Sequence, residues 1–192
     1  TRLYAQFILT VFFAVKLRGY AKGNMVDKGF FIILDRLLGT LDQRMESWKK
    51  EHRRHNGFIV GHNKKLLRQL TVDRLMVAYD LAAAFFYLHE NRLVYRDIKP
   101  ENIGFDVRGT LLCSSLNVFF CSQRTTTLGD VKIFDFGLCK NLSPSLKARS
   151  NGYGYRLTGR AGSLPYMAPE VVKMETYDSK CDVFSFAILL WE

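Results

Sequence analysis

The chain of 192 residues is long enough for one domain with a sizeable hydrophobic core. Its hydrophobic share of 48% and charged share of 24% are ordinary for a folded globular protein, which excludes a disordered chain outside short loops. The net charge of +10, from 28 Lys and Arg against 18 Asp and Glu, favours anionic partners such as nucleotides, nucleic acids, phosphorylated chains or membrane surfaces.

The cysteines and the apolar runs bear on the compartment of the protein and on whether it spans a membrane. None of the cysteines forms a Cys-x-x-Cys pair, which argues against a zinc site and a small disulfide scaffold. We therefore expect a reduced, intracellular setting, with the cytoplasm as the compartment. The apolar run at residues 6–15 is shorter than the ~20 residues that a membrane-spanning helix needs, so no membrane span is expected. Because the chain begins at Thr1 rather than Met, we expect it to be a fragment.

The first predicted elements are a strand and a helix. Residues 29–41 begin as an apolar run rich in Phe and Ile, which predicts a buried strand ending near Leu34 and a turn at Gly39. Residues 41–54 are polar and rich in good helix formers, which predicts an amphipathic helix. The apolar face of this helix would hold Leu41, Met45 and Trp48.

The strongest helix signal covers residues 71–92, with Thr71 as the predicted N-terminal cap. A helix this apolar is expected to be mostly buried. Its apolar face at helical spacing comprises Leu75, Val77, Ala78, Leu81, Ala82, Phe85 and Leu88.

The rest of the chain alternates between loops and short elements. Residues 93–102 are predicted as a loop, followed by short strands over 103–107 and 131–136. Residues 138–170, rich in Gly, Ser and Arg, predict a long surface loop. A second buried helix is expected to start at residue 179.

The loop YRDIKPEN concentrates polar groups that suit one kind of chemistry. Pro100 prevents a helix here, so the loop can aim several side chains at one point. The Asp97 carboxylate could orient an attacking hydroxyl, and Lys99 could neutralise charge on a transferring phosphoryl group. The Asn102 oxygen and a second carboxylate, that of Asp135, could hold Mg²⁺, which prefers hard oxygen ligands. This set suits phosphoryl transfer, whose catalysis is mostly positioning and electrostatic stabilisation.

Three motifs in order, YRDIKPEN, DFG and YMAPE, followed by SKCDVFSFAILLWE, closely resemble the eukaryotic protein kinases. The resemblance covers roughly residues 15–109 and 130–192. It implies an α+β, protein-kinase-like fold that is truncated, with the last N-lobe strands at residues 15–34 and a mainly helical, partial C-lobe at residues 35–192. It also implies ATP and Mg²⁺ as cofactors and a protein substrate as partner.

The resemblance assigns roles to the polar residues of the loop. Asp97 is the expected catalytic base, and Lys99 the expected contact to the γ-phosphate of ATP. Asn102 and Asp135 are the expected Mg²⁺ ligands. Lys99 resembles the serine/threonine-directed subfamilies, in which a residue at the place of Ser163 contacts the catalytic aspartate.

Further residues match positions that bind adenine in the family. Asp35, Arg36 and Leu37 fall at the hinge, which binds adenine through backbone groups, and Leu34 is then the gatekeeper. Three more residues match structural or regulatory positions. They are Arg96, which pairs with a phosphorylated activation loop, Glu170 of the APE motif, and Asp182, which ties the next helix to the catalytic loop.

Two residues depart from the family pattern. Tyr95 replaces the usual histidine, and we expect it to pack under Phe136 of the DFG motif. Gly104 stands where a larger apolar residue normally forms the floor under adenine, and Ile103 or Phe105 could compensate for it.

The chain lacks parts that a complete kinase needs. No GxGxxG motif precedes the hinge. Lys16 in FFAVK mimics the ATP-binding lysine, but it lies only 19 residues before Asp35, so we reject that role and interpret VKLRGYAKG as part of the strand pair leading to the hinge. We expect the 192-residue chain to be inactive alone and the complete gene product to be a serine/threonine protein kinase.

The sequence argues against two other functions. A pseudokinase or decayed kinase acting as a non-catalytic binding module is disfavoured because Asp97, Asn102 and Asp135 are all retained. Nucleic-acid binding is disfavoured because the basic residues are scattered rather than interleaved with aromatics on one face.

The spacing of the motifs raises a question about residues 110–129. Asn102 and Asp135 lie 33 positions apart, against about 13 in the family, and removing the 20-residue block 110–129 restores that spacing. The block is either a loop insertion, whose apolar residues would form an exposed sticky patch, or a translated intron. We favour the intron, and extend the idea to residues 1–14 as a non-kinase segment.

Overall fold

The computed structural model describes residues 14–21, 31–56, 63–106, 129–148 and 154–192. The chain divides into two compact units, one from residues 1–41 with 103–134 and one from residues 42–102 with 135–192. The predicted block 110–129 lies outside the described residues apart from Gly129, and segment 1–14 lies outside them apart from Ala14. The interpretation of both segments therefore stays a prediction.

The described elements give the chain an α+β architecture, as the sequence predicts. The strands are β1 (Leu17–Tyr20), β2 (Ile32–Leu34), β3 (Leu37–Thr40), β4 (Leu93–Val94), β5 (Ile103–Asp106), β6 (Asp130–Ile133) and β7 (Lys140–Asn141). The helices are α1 (Leu41–His55), α2 (Lys64–Glu90), α3 (Pro169–Val172) and α4 (Lys180–Trp191). None of the helices in these ranges is long and apolar enough to cross a membrane.

In the first unit, β1 and β2 form an antiparallel pair that leads to Asp35, with Leu17 opposite Leu34. The strand ends at Leu34 as predicted, but the prediction that it is buried is wrong. Ile32 and Ile33 are 53% and 51% exposed. Among the described residues β2 pairs only with β1, and a two-stranded sheet leaves its side chains in solvent unless another layer covers one face.

The second sheet of this unit is three-stranded and antiparallel, in the order β3–β5–β6. β5 pairs with β6 from Ile103 opposite Ile133 to Asp106 opposite Asp130, so the two predicted strands form a hairpin. The predicted turn at Gly39 is wrong. Gly39 lies within β3, opposite Phe105, because β5 offers the extended chain a partner for its backbone hydrogen bonds.

Gly104 permits a close approach between β5 and β3. A Cβ atom at this position would lie 2.5 Å from Leu37 Cδ1 and 3.1 Å from the Gly39 carbonyl oxygen. The side chain of Leu37 therefore occupies the space beside Gly104. Ile103 and Phe105 point to the opposite face of the strand, and their expected contribution to the floor under adenine stays a prediction.

The second unit begins with α1, which covers the predicted helix at residues 41–54. Leu41 and Trp48 are buried and Met45 is half-buried, so the predicted apolar face is the inner face. The guanidinium of Arg74 in α2 lies 5.7 Å from the ring centre of Trp48. This cation–π contact joins the two helices at this point.

Helix α2 starts seven residues before the position that the sequence predicts. Asn63 caps its N-terminus, with its side-chain oxygen accepting a hydrogen bond from Leu66 N at 3.1 Å. The prediction of Thr71 as the cap is wrong, since Thr71 lies inside the helix and its hydroxyl donates to the Leu67 carbonyl at 3.0 Å. Residues 64–70 are mostly good helix formers, so the helix extends back to the first strong cap.

The burial of α2 is restricted to a stripe, so the prediction of a mostly buried helix is wrong. Val77, Leu81, Phe85 and Leu88 are buried, whereas Leu75 is 63% exposed. Apolar residues recur all around this helix, and only those on the covered side lose contact with water.

The segment after β6 is irregular, as predicted, apart from short elements. Three 3-10 turns lie within it, at Phe136–Leu138, Pro144–Leu146 and Leu164–Tyr166, together with β7, which pairs with β4. Helix α4 starts at the predicted place but buries only one side, and Trp191 is 85% exposed. A small core joins these pieces and comprises Val94, Leu142, Ala168, Val171, Tyr177 and Cys181.

Candidate active site

The loop between β4 and β5 folds back on itself and gathers its polar side chains. Residues 95–99 carry no regular structure, and a 3-10 turn spans Pro100–Asn102. Proline suits the first position of such a turn, where a backbone N–H would lack a partner. Asn102 N donates to the Lys99 carbonyl at 3.1 Å, which returns the chain towards Asp97.

The Asp97 carboxylate lies at the centre of this group. One oxygen, Oδ2, accepts from Lys99 Nζ at 3.0 Å and from Asn102 Nδ2 at 2.8 Å. The other, Oδ1, accepts from Ser163 Oγ at 2.8 Å, which is the contact that the sequence predicts. Asn102 Nδ2 also donates to the Asp97 carbonyl at 3.0 Å, so the Asn102 side chain is bonded to both the backbone and the side chain of Asp97.

The surroundings of Asp97 keep its carboxylate ionised. Burial by itself would raise the pKa of this group, because it disfavours the charged form. The hydrogen bonds from Ser163, Lys99 and Asn102 outweigh burial and hold the pKa of Asp97 below its usual value. The residue therefore carries a negative charge at neutral pH although it is only 7% exposed.

Asp135 adopts an unusual backbone conformation and presents its carboxylate to solvent. Its φ is 57°, in the left-handed region that few residues other than glycine adopt. One carboxylate oxygen accepts from Gly137 N at 3.2 Å and so caps the 3-10 turn Phe136–Leu138. Strained backbone of this kind is found preferentially at functional sites.

Tyr95 links the catalytic loop to the DFG motif. Its ring meets that of Phe136 edge to face, with centres 5.4 Å apart, which confirms the predicted packing. Burial, followed by the carboxylates of Asp97 and Asp135, raises the pKa of the Tyr95 phenol. The two carboxylates therefore lie near the same phenol, and Tyr95 stays neutral beside them.

Asp182 anchors the loop to α4, as the sequence predicts. Its two oxygens accept from Tyr95 N and Arg96 N, each at 2.8 Å. His89 Nε2 lies 2.9 Å from the same carboxylate, which is 1% exposed. His89 was missed by sequence reasoning, and its only signal was a polar ring in the last turn of α2, just before the loop.

Arg96 holds the segments that follow the DFG motif. Its Nε donates to the Leu138 carbonyl at 2.6 Å, and its Nη1 donates to the Tyr177 hydroxyl at 3.0 Å. The Tyr177 hydroxyl in turn donates to the Thr158 carbonyl at 2.6 Å. Tyr177 was also missed, since a lone tyrosine 81 positions away gives no local signal of this contact.

The predicted hinge residues lie in the first unit. Asp35 N donates to the Lys16 carbonyl at 3.0 Å, and the Asp35 carboxylate pairs with Arg18. Leu37 opens β3 opposite Asp106. The structure thus brings Asp97, Lys99, Asn102 and Ser163 into direct contact in the second unit, which also holds Asp135, and it places Asp35 and Leu37 in the other unit.

The oxygen donors of the second unit fit Mg²⁺. The Asn102 amide is oriented by its nitrogen, which donates to the carbonyl and to the carboxylate of Asp97 and so leaves the oxygen as the acceptor end. Asp135 is exposed, and only one of its carboxylate oxygens caps the following turn. An amide oxygen and a carboxylate are the hard ligands that Mg²⁺ prefers.

Comparisons with known proteins identify the family of the chain. The family model described as a protein kinase domain matches residues 50–192. The chain is 38% identical over 117 residues to the serine/threonine-protein kinase VIK of Arabidopsis thaliana, covering 60% of this chain and 22% of that protein.

Other relatives are protein kinases as well. The chain is 35% identical over 118 residues to the dual specificity protein kinase shkB of Dictyostelium discoideum, covering 62% of this chain and 14% of that protein. It is 32% identical over 114 residues to an Aurora kinase of Patiria pectinifera, covering 59% of this chain and 21% of that protein. The chain thus spans less than a quarter of the length of these relatives. Because the family model matches well over half of it, the chain belongs to the eukaryotic protein kinase family and carries part of a protein kinase domain.

Proposed function

We propose that the protein containing this chain is a serine/threonine protein kinase that transfers the γ-phosphoryl group of Mg-ATP to hydroxyl groups of a protein substrate. The observation that carries the proposal is the Asp97 carboxylate, which three side chains hold ionised within the catalytic loop. The ionised carboxylate is the form that can orient a substrate hydroxyl and accept its proton.

In the proposed reaction, the substrate hydroxyl oxygen attacks the γ-phosphorus and forms the new P–O bond. The bond from the γ-phosphorus to the bridging oxygen of ATP breaks, and ADP leaves with the electron pair. Asp97 orients the hydroxyl and accepts its proton. Lys99, whose Nζ lies 3.0 Å from Asp97 Oδ2, neutralises negative charge on the transferring group.

Asn102 and Asp135 are the proposed ligands of Mg²⁺, which would neutralise phosphate charge when bound. The chain itself prepares these ligands. Asp97 orients the Asn102 amide, and the exposed Asp135 uses one carboxylate oxygen to cap the following turn. The backbone of Asp35 and Leu37 is proposed to bind adenine, and this assignment rests on the family resemblance alone.

Serine/threonine specificity is supported by two contacts to Asp97. Lys99 and Ser163 both bond to its carboxylate, and both match the serine/threonine-directed pattern of the family. The relative shkB is named a dual specificity kinase, so the test must also measure phosphorylation of tyrosine.

We propose that the 192-residue chain does not phosphorylate protein by itself, because its sequence contains no GxGxxG motif before the hinge. Without that loop and its lysine, the ATP phosphates would be held from one side only. Activity is proposed for the longer protein that carries this domain.

The test compares three proteins with radiolabelled ATP and a mixed serine, threonine and tyrosine protein substrate. The longer gene product is expected to label serine and threonine, and its Asp97→Asn variant to lose about 10²–10⁴-fold in kcat with little change in KM for ATP. The 192-residue chain is expected to give no labelling. Full activity in the Asp97→Asn variant would rule out Asp97 as the base.

The alternative is a non-catalytic binding module. It predicts that the longer product binds Mg-ATP or a protein partner but labels no substrate, and that Asp97→Asn changes nothing. The retention of Asp97, Asn102 and Asp135 in the sequence favours the enzyme.

A further inference from the structure

Basic residues are concentrated where α1 ends and α2 begins. Between Glu51 and Asp73 the sequence carries five Lys and Arg, three His and no acidic residue. Asn63 N donates to the His55 carbonyl at 3.3 Å, so the two helix ends are adjacent. We call this cluster the basic corner, and its members, all exposed, are Arg53, Arg54, Lys64, Lys65 and Arg68.

The packing of the helices directs this cluster outwards. Trp48 of α1 is buried at 6% exposure, and Arg74 of α2 stacks over its ring at 5.7 Å. The apolar side of α1 is thereby turned inwards, which leaves the Lys- and Arg-rich side in solvent.

The charges of the basic corner are not balanced by acids. In the described part of the chain, none of its five cations lies within 4.0 Å of a carboxylate oxygen. The next acid along α2, Asp73, accepts from Gln69. Lys64 and Arg68 stand four residues apart on one helix face, where like charges repel each other.

Helix electrostatics explain only two of the five cations in the basic corner. Arg53 and Arg54 lie in the last turn of α1, where positive charge is favourable. Lys64 and Lys65 lie in the first turn of α2, which has no acidic residue and where positive charge is unfavourable. The positive charges of these two lysines therefore do not stabilise α2, and an anionic partner would neutralise them.

We propose that the basic corner binds an acidic segment of a partner protein, one with several Asp and Glu side chains. A single-stranded nucleic acid is less suited, because the sequence between Glu51 and Asp73 offers a single aromatic residue, Phe58, on which bases could stack. A membrane surface is also less suited, since the apolar side chains here, Leu66 and Leu67, are half-buried. Charge complementarity with carboxylates is what the surface offers.

The experiment measures binding of a dye-labelled peptide in which glutamate alternates with serine, by fluorescence anisotropy at low salt. The intact chain is compared with the variant Lys64→Gln/Lys65→Gln/Arg68→Gln. The control variant, Lys147→Gln/Lys173→Gln/Lys180→Gln, removes the same number of positive charges from exposed sites elsewhere. Oligothymidylate and vesicles of phosphatidylserine and phosphatidylcholine are titrated in parallel.

The proposal expects the basic-corner variant to lose about tenfold in peptide affinity and the control variant to change by less than about twofold. Affinity should fall as salt rises. The basic-corner variant should melt at the same or a higher temperature than the intact chain, because charge unfavourable to α2 has been removed.

Three results would overturn the proposal. They are no peptide binding at low salt, equal losses in the two variants, and tighter binding of oligothymidylate or vesicles with the same dependence on the basic corner. The readout is binding rather than catalysis, so it succeeds or fails independently of the proposed kinase activity.

Discussion

Asp97 is buried and yet ionised because its neighbours supply donors to both of its oxygens. Its pKa in the folded protein lies below the value in the unfolded chain, which is about 3.9. The stability that this group contributes is therefore fully present above the unfolded pKa and is lost as the pH falls through the folded pKa. At neutral pH the carboxylate is therefore ionised, and its hydrogen bonds stabilise the loop.

Ser163→Ala tests how this state is maintained. Removing the hydroxyl takes away the bond to Asp97 Oδ1, so the pKa of Asp97 should rise while the loop stays folded. The measurement is a carboxyl-carbon NMR titration of Asp97 in the intact chain and the variant. Ser145→Ala, which alters an exposed loop serine bonded only within its own turn, serves as the control and should leave the titration unchanged. An unchanged Asp97 pKa in Ser163→Ala would contradict the role given to Ser163.

At the scale of elements, the catalytic loop is positioned by helices that are distant in sequence. Asp182 in α4 binds the backbone of Tyr95 and Arg96, and His89 at the end of α2 contacts the same carboxylate. Two helices are thereby joined to one loop through a single buried side chain. This junction holds the loop that carries Asp97, although neither Asp182 nor His89 makes a hydrogen bond to Asp97 among the described contacts.

Asp182→Ala is expected to destabilise the protein by about 3–5 kcal/mol, because two backbone N–H donors and His89 lose a buried partner. The milder Asp182→Asn keeps one acceptor oxygen and should cost less. Glu46→Ala is the control, since Glu46 is exposed and its contact to Lys50 is long at 3.8 Å. Urea unfolding monitored by circular dichroism measures all three, and equal stabilities of the alanine variants would refute the junction.

At the scale of the whole molecule, the hairpin of β5 and β6 bears on the predicted block 110–129. The strands pair up to Asp106 opposite Asp130, so deletion of the block would connect these residues through 107–109 alone. A three-residue connection that ends in Gly109 is a common hairpin loop. The family-like spacing is therefore compatible with the pairing that the structure has.

Deletion of residues 110–129 is expected to leave the fold intact and to stabilise it by about 2 kcal/mol, since a shorter connection has less closure entropy to lose. Thermal unfolding of the deletion variant and the intact chain measures the difference. A variant that unfolds at lower temperature would mean that the block packs against the domain and is a functional insertion. A mature transcript that joins the codons of Gly109 and Asp130 would support the intron hypothesis independently.

The sequence by itself determined the features that short local patterns encode. Spacing and residue type within YRDIKPEN and DFG predicted the polar cluster around Asp97, and helical periodicity placed α1 and most of α2. These succeed because loop chemistry and helix propensity depend on residues within a few positions of one another.

The tertiary structure alone decided which side chains are buried and which distant residues meet. β2 and much of α2 are exposed although their sequences are apolar, Leu37 fills the space beside Gly104, and His89 and Tyr177 join the site from far along the chain. Burial depends on which elements cover a surface, and a long-range hydrogen bond depends on where the fold brings its two partners. Neither burial nor a long-range hydrogen bond can be predicted from a short stretch of sequence.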